Sequence, residues 1–172
     1  VLVSEEFAES AALDIPATIS GTGQATDTLS LQSRESLYRT PATASAANRA
    51  FEMAEKDPTA IDFAEVHDCF TIAEVLAIES LGFYDTGTGY TAARDGETTV
   101  EGSIPINLSG GLKAKGHPVG ATGVAQIVEV TKLLTGEHPN SSVVPDATTG
   151  LAHNAGGTVA SATVTIIERN DD

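Results

Sequence analysis

The run Asn107-Leu-Ser-Gly-Gly-Leu-Lys-Ala-Lys-Gly-His-Pro-Val-Gly-Ala-Thr-Gly123 limits this chain more than any other stretch. Its glycines suit neither a long helix nor a strand interior, so it must be a set of turns joining regular elements. Pro118 restricts His117 to extended backbone and so aims the imidazole. The small residues Gly120, Ala121 and Gly123 let a backbone or a ligand come close. A helical pattern follows at once, with Val124, Ile127, Val128 and Leu134 in register, and the free N–H groups at its start favour negative charge. A histidine there suits either hydrogen bonding to an oxyanion or receiving a thiol proton. A purely structural histidine in a strand-to-helix turn fits the same residues. The run lacks the Gly-Lys-Ser/Thr ending of a phosphate-binding loop.

The rest of the chain alternates strands and helices, the pattern of an α/β layered sheet. Val1 to Leu13 reads as a short strand entering a helix, and Pro16 to Gly23 as a strand. Gln24 to Pro41 reads as loop. Ala46, Ala50 and Ala54, with Ala47 and Phe51, predict a helix over 44–56 that ends before Pro58. Ile61 to Val66 reads as a buried strand. Thr71 to Leu81 reads as a helix whose Ile72, Val75, Leu76 and Glu79 share a side, with Gly82 behind it. Phe83 to Ile104 reads as a long surface loop, and Ala121 to Thr135 as a helix. Ala147 to Ala152 is a short strand, Gly156-Gly157 a tight turn, and Thr158 to Glu168 a final strand.

Two further segments carry candidate chemistry. In His67-Asp-Cys-Phe70, a thiol stands two residues from an imidazole at a strand end, which favours either a reactive cysteine or an inert buried one. Cys69 is the single cysteine, so no intramolecular disulfide forms and zinc-ligand spacing is lacking. The third segment, His153-Asn-Ala-Gly-Gly157, reads as a pocket-lining loop or a hydrogen-bonded turn.

Taken together and in this order, the three segments resemble the thiolase superfamily. The Asn107-x-Ser-Gly-Gly stretch followed by Gly-His-Pro-x-Gly-Ala-Thr-Gly is specific to it. His67-Asp-Cys-Phe and His153-Asn are similar to the sterol-carrier-protein-x type and to archaeal thiolases, where many other thiolases have Asn-Glu-Ala-Phe and Cys-x-Gly. The resemblance covers nearly all of residues 1–172, but only the C-terminal half of a usual thiolase. It implies a mixed sheet layered with helices, and Claisen condensation of acyl-CoA units or thiolysis of 3-ketoacyl-CoA. It implies His117 as the residue assisting an acyl-carrying cysteine and Cys69 as the acid/base at the α-carbon. It places His67 at a second hydrogen-bonding position. Asn154, His153, Gly110, Gly111 and Gly156 are the candidate substrate-binding residues, with coenzyme A as substrate and no metal or other cofactor. The thiol of Cys69 is expected in a polar, histidine-rich pocket that lowers its pKa.

The acyl-carrying cysteine belongs to the other half, so this chain is expected to need an N-terminal half or sister subunit, to expose the apolar face where it packs, and to associate. The absence of an initiator Met suggests a fragment, a processed product or one piece of a split gene. A zinc-ribbon, OB-fold partner that helps to hold acyl-CoA is a further partner the resemblance implies. A ketosynthase-like condensing enzyme and a non-catalytic scaffold or acyl-CoA-binding subunit remain open alternatives. The formal charge of −15, from 24 acidic and 9 basic residues, argues against nucleic acid and anionic membranes as partners. The same balance suits either a high-salt environment or an ordinary acidic cytoplasmic protein. No basic-then-apolar leader opens the sequence, and the cytoplasm is the expected compartment.

Overall fold

The computed structural model describes residues 1–170. Its centre is a four-stranded mixed sheet of β1 (Ala17–Thr26), β2 (Phe63–Glu65), β3 (Thr149–Gly156) and β4 (Ser161–Arg169), in the order β1-β4-β3-β2. β4 runs antiparallel to both β1 and β3, and β2 runs parallel to β3. The β3–β4 register pairs Ala152 with Thr165, His153 with Val164 and Asn154 with Thr163. Residues 105–107 extend the far edge, where Ala64 N donates to Pro105 O and Asn107 N to Ala64 O.

Among the described residues six α-helices surround the sheet: α1 (Glu5–Ala11), α2 (Pro41–Ala54), α3 (Thr71–Ser80), α4 (Gly89–Arg94), α5 (Gly111–Lys115) and α6 (Thr122–Leu134). α2 covers one face through a stripe of small side chains, Ala42, Ala46, Ala47 and Ala50, packed with Leu151, Val164 and Ile166. The helix can sit this close because Gly21 and Gly23 of β1 lie beneath it. A Cβ on Gly21 would overlap Ala50 O, and one on Gly23 would overlap Ala46 O. α6 covers the opposite face, where Val130, Leu133 and Leu134 pack with Phe63, Ala152 and Ile167. Both layers exclude water from the sheet, which is the main source of its stability.

Several sequence expectations change. Val1 to Ser4 forms no strand; Ser4 caps α1, its Oγ accepting from Phe7 N. The expected loop over 83–104 contains α4, and the glycine run contains α5. α3 buries Ala77 and Ile78, while Ile72 is exposed. β3 runs on to Gly156, so His153 and Asn154 lie in a strand and not in a loop. The pattern misled because β3 is covered on both faces and shows no alternation of polar and apolar residues. The side chains of His153 and Asn154 find partners on other elements.

Candidate active site

The site forms where β2 ends and the glycine run begins. β2 delivers the chain to His67, Asp68 and Cys69, and α3 starts at Thr71. Three side chains, those of Asn107, Glu65 and Asp68, tie this loop to the run. Asn107 Oδ1 accepts from Val66 N at 2.8 Å, and Asn107 Nδ2 donates to Glu74 Oε2 at 3.1 Å, so one carboxamide holds both the strand end and α3. Glu65 accepts from Ser109 N at 2.9 Å and from the Ser109 hydroxyl. Asp68 Oδ1 accepts from Leu112 N at 2.8 Å.

Two of the candidate glycines serve this last tie. Gly110 has φ +89°, in the left-handed region. Gly111 is buried directly against Asp68, where a Cβ would overlap the carboxylate. Gly111 therefore seats Asp68 and has no open surface for a substrate. Gly156 ends β3 with open space around it.

The run then brings His117 to His67. Their ring centroids are 4.9 Å apart and the planes stand at 85°. His117 lies on an exposed turn before α6, with Ala121 N and Thr122 N both donating to Pro118 O. Its Nδ1 is 2.7 Å from the hydroxyl of Thr122, the first residue of α6. His67 is buried and its Nδ1 lies 3.1 Å from Asn154 Nδ2. Burial, and then the nearby His117, push the His67 pKa below its usual value, while Asp68 works the other way. Cys69, two residues on from His67, is exposed, as is Phe70.

His153 and Asn154 point to opposite faces of β3. Asn154 faces α6 and joins His67. His153 is only 2% exposed and its Nε2 is 3.1 Å from Thr43 Oγ1 of α2. It lines a cavity of about 10 Å³ together with His67, Thr40 and Thr43, and has no open surface for a substrate. Burial above all, and then His67, lower its pKa to about 3.

Sequence reasoning gave no role to Glu65, Asn107, Thr122 or Gln126. Two of them left a signal. Gln126 holds a buried position on the face of α6 that also carries Val130, Leu133 and Leu134, and Glu65 is an acid inside the buried run from Phe63 to Val66. A polar side chain at such a position must have a partner nearby. Among the described residues, no three His, Cys, Asp or Glu side chains gather as a metal site. No described helix is long and apolar enough to cross a membrane.

These segments, so placed, define a thiolase-like α/β domain. The family model for the thiolase C-terminal domain-like group matches residues 23–169, and the chain belongs to that family. It is 47% identical over 156 residues to an acetyl-CoA acetyltransferase of Methanothermobacter thermautotrophicus, covering 91% of this chain and 40% of that one. It is 44% identical over 111 residues to human sterol carrier protein 2, covering 64% of this chain and 20% of that one. Among solved structures, one described as an Ltp2-ChsH2(DUF35) aldolase superposes with a TM-score of 0.82 and 25% identity, over 99% of this chain and 44% of that one. The acetyl-CoA acetyltransferase of Bacillus anthracis shares the fold, with a TM-score of 0.65 and 18% identity, over 98% of this chain and 34% of that one. The chain thus spans about two fifths of the length of its archaeal relative.

Proposed function

We propose that this chain is the C-terminal part of a thiolase-type acyltransferase, supplying His117, Cys69 and His67 to a site completed by an acyl-carrying cysteine from another segment or chain. The observation that carries this reading is the meeting of His67 and His117 at 4.9 Å, with the exposed Cys69 two residues on from His67. In the condensing direction, Cys69 in its deprotonated form takes a proton from the α-carbon of a bound acyl-CoA. The enolate attacks the thioester carbonyl of the acylated cysteine, a carbon–carbon bond forms, and that cysteine leaves as a thiolate. His117 takes up or returns the proton of the acyl-carrying thiol. Donors from the histidine pair stabilise negative charge on the thioester oxygens. Thiolysis is the same sequence reversed.

The surface around the site supports a partner. Phe70, Ile72, Val119 and Val124 are each at least 60% exposed and lie on the segments that carry Cys69 and His117. Exposed apolar side chains on the segments that build a site suit a covering protein surface. The missing half is the occupant we assign, and the pairing in the description of the Ltp2-ChsH2(DUF35) structure supports assembly with a further component. Coenzyme A thioesters are the substrates under this reading.

The test is reconstitution of the chain with the segment that carries the acyl cysteine, assayed with acetoacetyl-CoA and CoA. The assembled protein should turn over, and Cys69→Ala and His117→Ala should each lower kcat at least about 100-fold. Normal turnover by the 172-residue chain alone, or full activity of Cys69→Ala, would overturn the reading. A second reading rests on the aldolase neighbour: cleavage of a carbon–carbon bond through the same enolate, with no acyl cysteine. Release of a free carbonyl compound without CoA consumption would favour it.

A further inference from the structure

The hydrogen bonds behind His67 fix which of its ring nitrogens carries the proton. Gln126 is 2% exposed, and its Nε2 lies 2.9 Å from the carbonyl oxygen of His153. A carbonyl only accepts, so that end of the carboxamide must be the N–H end. Gln126 Oε1 is then turned to Asn154 and accepts from Asn154 Nδ2 at 2.9 Å. The same Nδ2 is 3.1 Å from His67 Nδ1. A primary amide nitrogen has two hydrogens and no acceptor capacity, so one hydrogen goes to Gln126 and the other to His67. His67 Nδ1 must accept.

We infer, building on the thiolase reading above, that Gln126 and Asn154 are positioning residues that lock His67 in the Nε2–H tautomer, making it an oxyanion donor and not a base. The backbone carbonyl of His153 sets the direction of the whole relay. Protonating Nδ1 would oppose one N–H to another, since Asn154 cannot reverse its amide without opposing Gln126 Oε1. The room for the relay comes from Gly123 of α6, where a Cβ would lie 3.3 Å from Asn154 Cγ. Burial of His67 and the proximity of His117 work in the same direction, holding the ring neutral.

Long-range proton–nitrogen correlation spectra of the ¹⁵N-labelled full chain at neutral pH read the tautomer directly, with His67→Gln identifying the resonances. The wild type should show an unprotonated Nδ1 and a protonated Nε2. Asn154→Asp replaces the donor by an acceptor and should move the proton to Nδ1, and Gln126→Leu should give a mixture. If Gln126→Leu does not fold, the nearly isosteric Asn154→Asp carries the same test. A protonated Nδ1 in the wild type, or an unchanged tautomer in Asn154→Asp, overturns the lock. In the reconstituted enzyme, Asn154→Asp should lower kcat about 100-fold with little change in KM. Unchanged kcat with an inverted tautomer would overturn the donor role. The spectra do not depend on turnover, so failure of the thiolase reading and failure of the lock are separate results.

Discussion

The imidazole of His67 meets that of His117 edge to face with their centroids 4.9 Å apart, and a third imidazole, His153, lies behind His67 across a small shared cavity. Three titratable rings in such proximity cannot all be charged, and the buried ones resist protonation most.

The first prediction follows from that resistance. Unfolded, His153 titrates near 6.5; folded, its pKa falls to about 3. Between these values the unfolded chain binds a proton that the folded chain refuses, so stability is intact above pH 6.5 and is lost as pH falls toward 3. The His67 pKa is also lowered, so His67 adds to the loss in the same direction. From pH 6.5 down to about 4, His153 alone should remove roughly 3 kcal/mol. Urea unfolding as a function of pH should show a much flatter curve for His153→Leu than for the wild type. Parallel curves would assign the acid sensitivity elsewhere.

Glu65 is a buried acid whose pKa is raised by burial, against the opposing pull of Ser109 and Lys115. Lys115 Nζ lies 3.6 Å from Glu65 Oε2, and Ser109 N and its hydroxyl both donate to the carboxylate. Glu65→Leu leaves those donors without an acceptor and should cost roughly 2–4 kcal/mol by denaturant unfolding. Because Ser109 lies just before Gly110 and Gly111, faster amide exchange should appear first over 109–112. Uniform loss of protection across the sheet would count against this local account.

The α2–β1 contact predicts a steep response to one added side chain. A Cβ at Gly23 meets the backbone of α2, which cannot yield as a flexible side chain does. Gly23→Val should lower stability by at least 1–3 kcal/mol, the usual cost of overfilling a packed interface. The same change at Gly87 or Gly120, where nothing lies within 4 Å of a built Cβ, should cost less; Gly120 is the cleaner control because its φ is not positive.

The β3–β4 hairpin turns through Gly157, Thr158 and Val159, all with positive φ. Two of these are β-branched and disfavour that region. Thr158 is exposed, so Thr158→Asn relieves backbone strain without disturbing the core. A gain of roughly 0.5–1 kcal/mol in thermal or chemical unfolding is expected.

What was legible in the sequence depended on where each residue found its partners. The helices α2 and α6 and the strand β4 declared themselves through local periodicity, and the three site segments through their residue types. The α2–β1 seam was half visible: the alanine stripe marked a helix, but Gly21 and Gly23 acquire meaning only when the two elements are superposed. Asn107 clamps Val66 and Glu74, both remote in sequence, so its position in the glycine run gave no hint of that role. The full length of β3 is hidden because His153 and Asn154 look like loop residues until Thr43, Gln126 and His67 are brought against them. The apolar Val1 to Val3 suggest a strand ahead of α1 that does not form, and α5 is hidden among glycines. The meeting of His67 with His117 came from the resemblance and not from spacing, since nothing local joins residues so far apart.

The register of β3 on β4 decides more than sheet pairing. His153 and Asn154 are neighbours with opposite orientations, one toward Thr43 and the other toward Gln126 and His67. A slip of one residue would exchange them. An imidazole would then stand where the amide relay runs, and a carboxamide would occupy the sealed side under α2. An insertion of one residue between Thr149 and Ala152 would therefore break the amide relay behind His67 while leaving every candidate side chain present in the sequence. Changes in length within this strand are silent to composition and decisive for the relay.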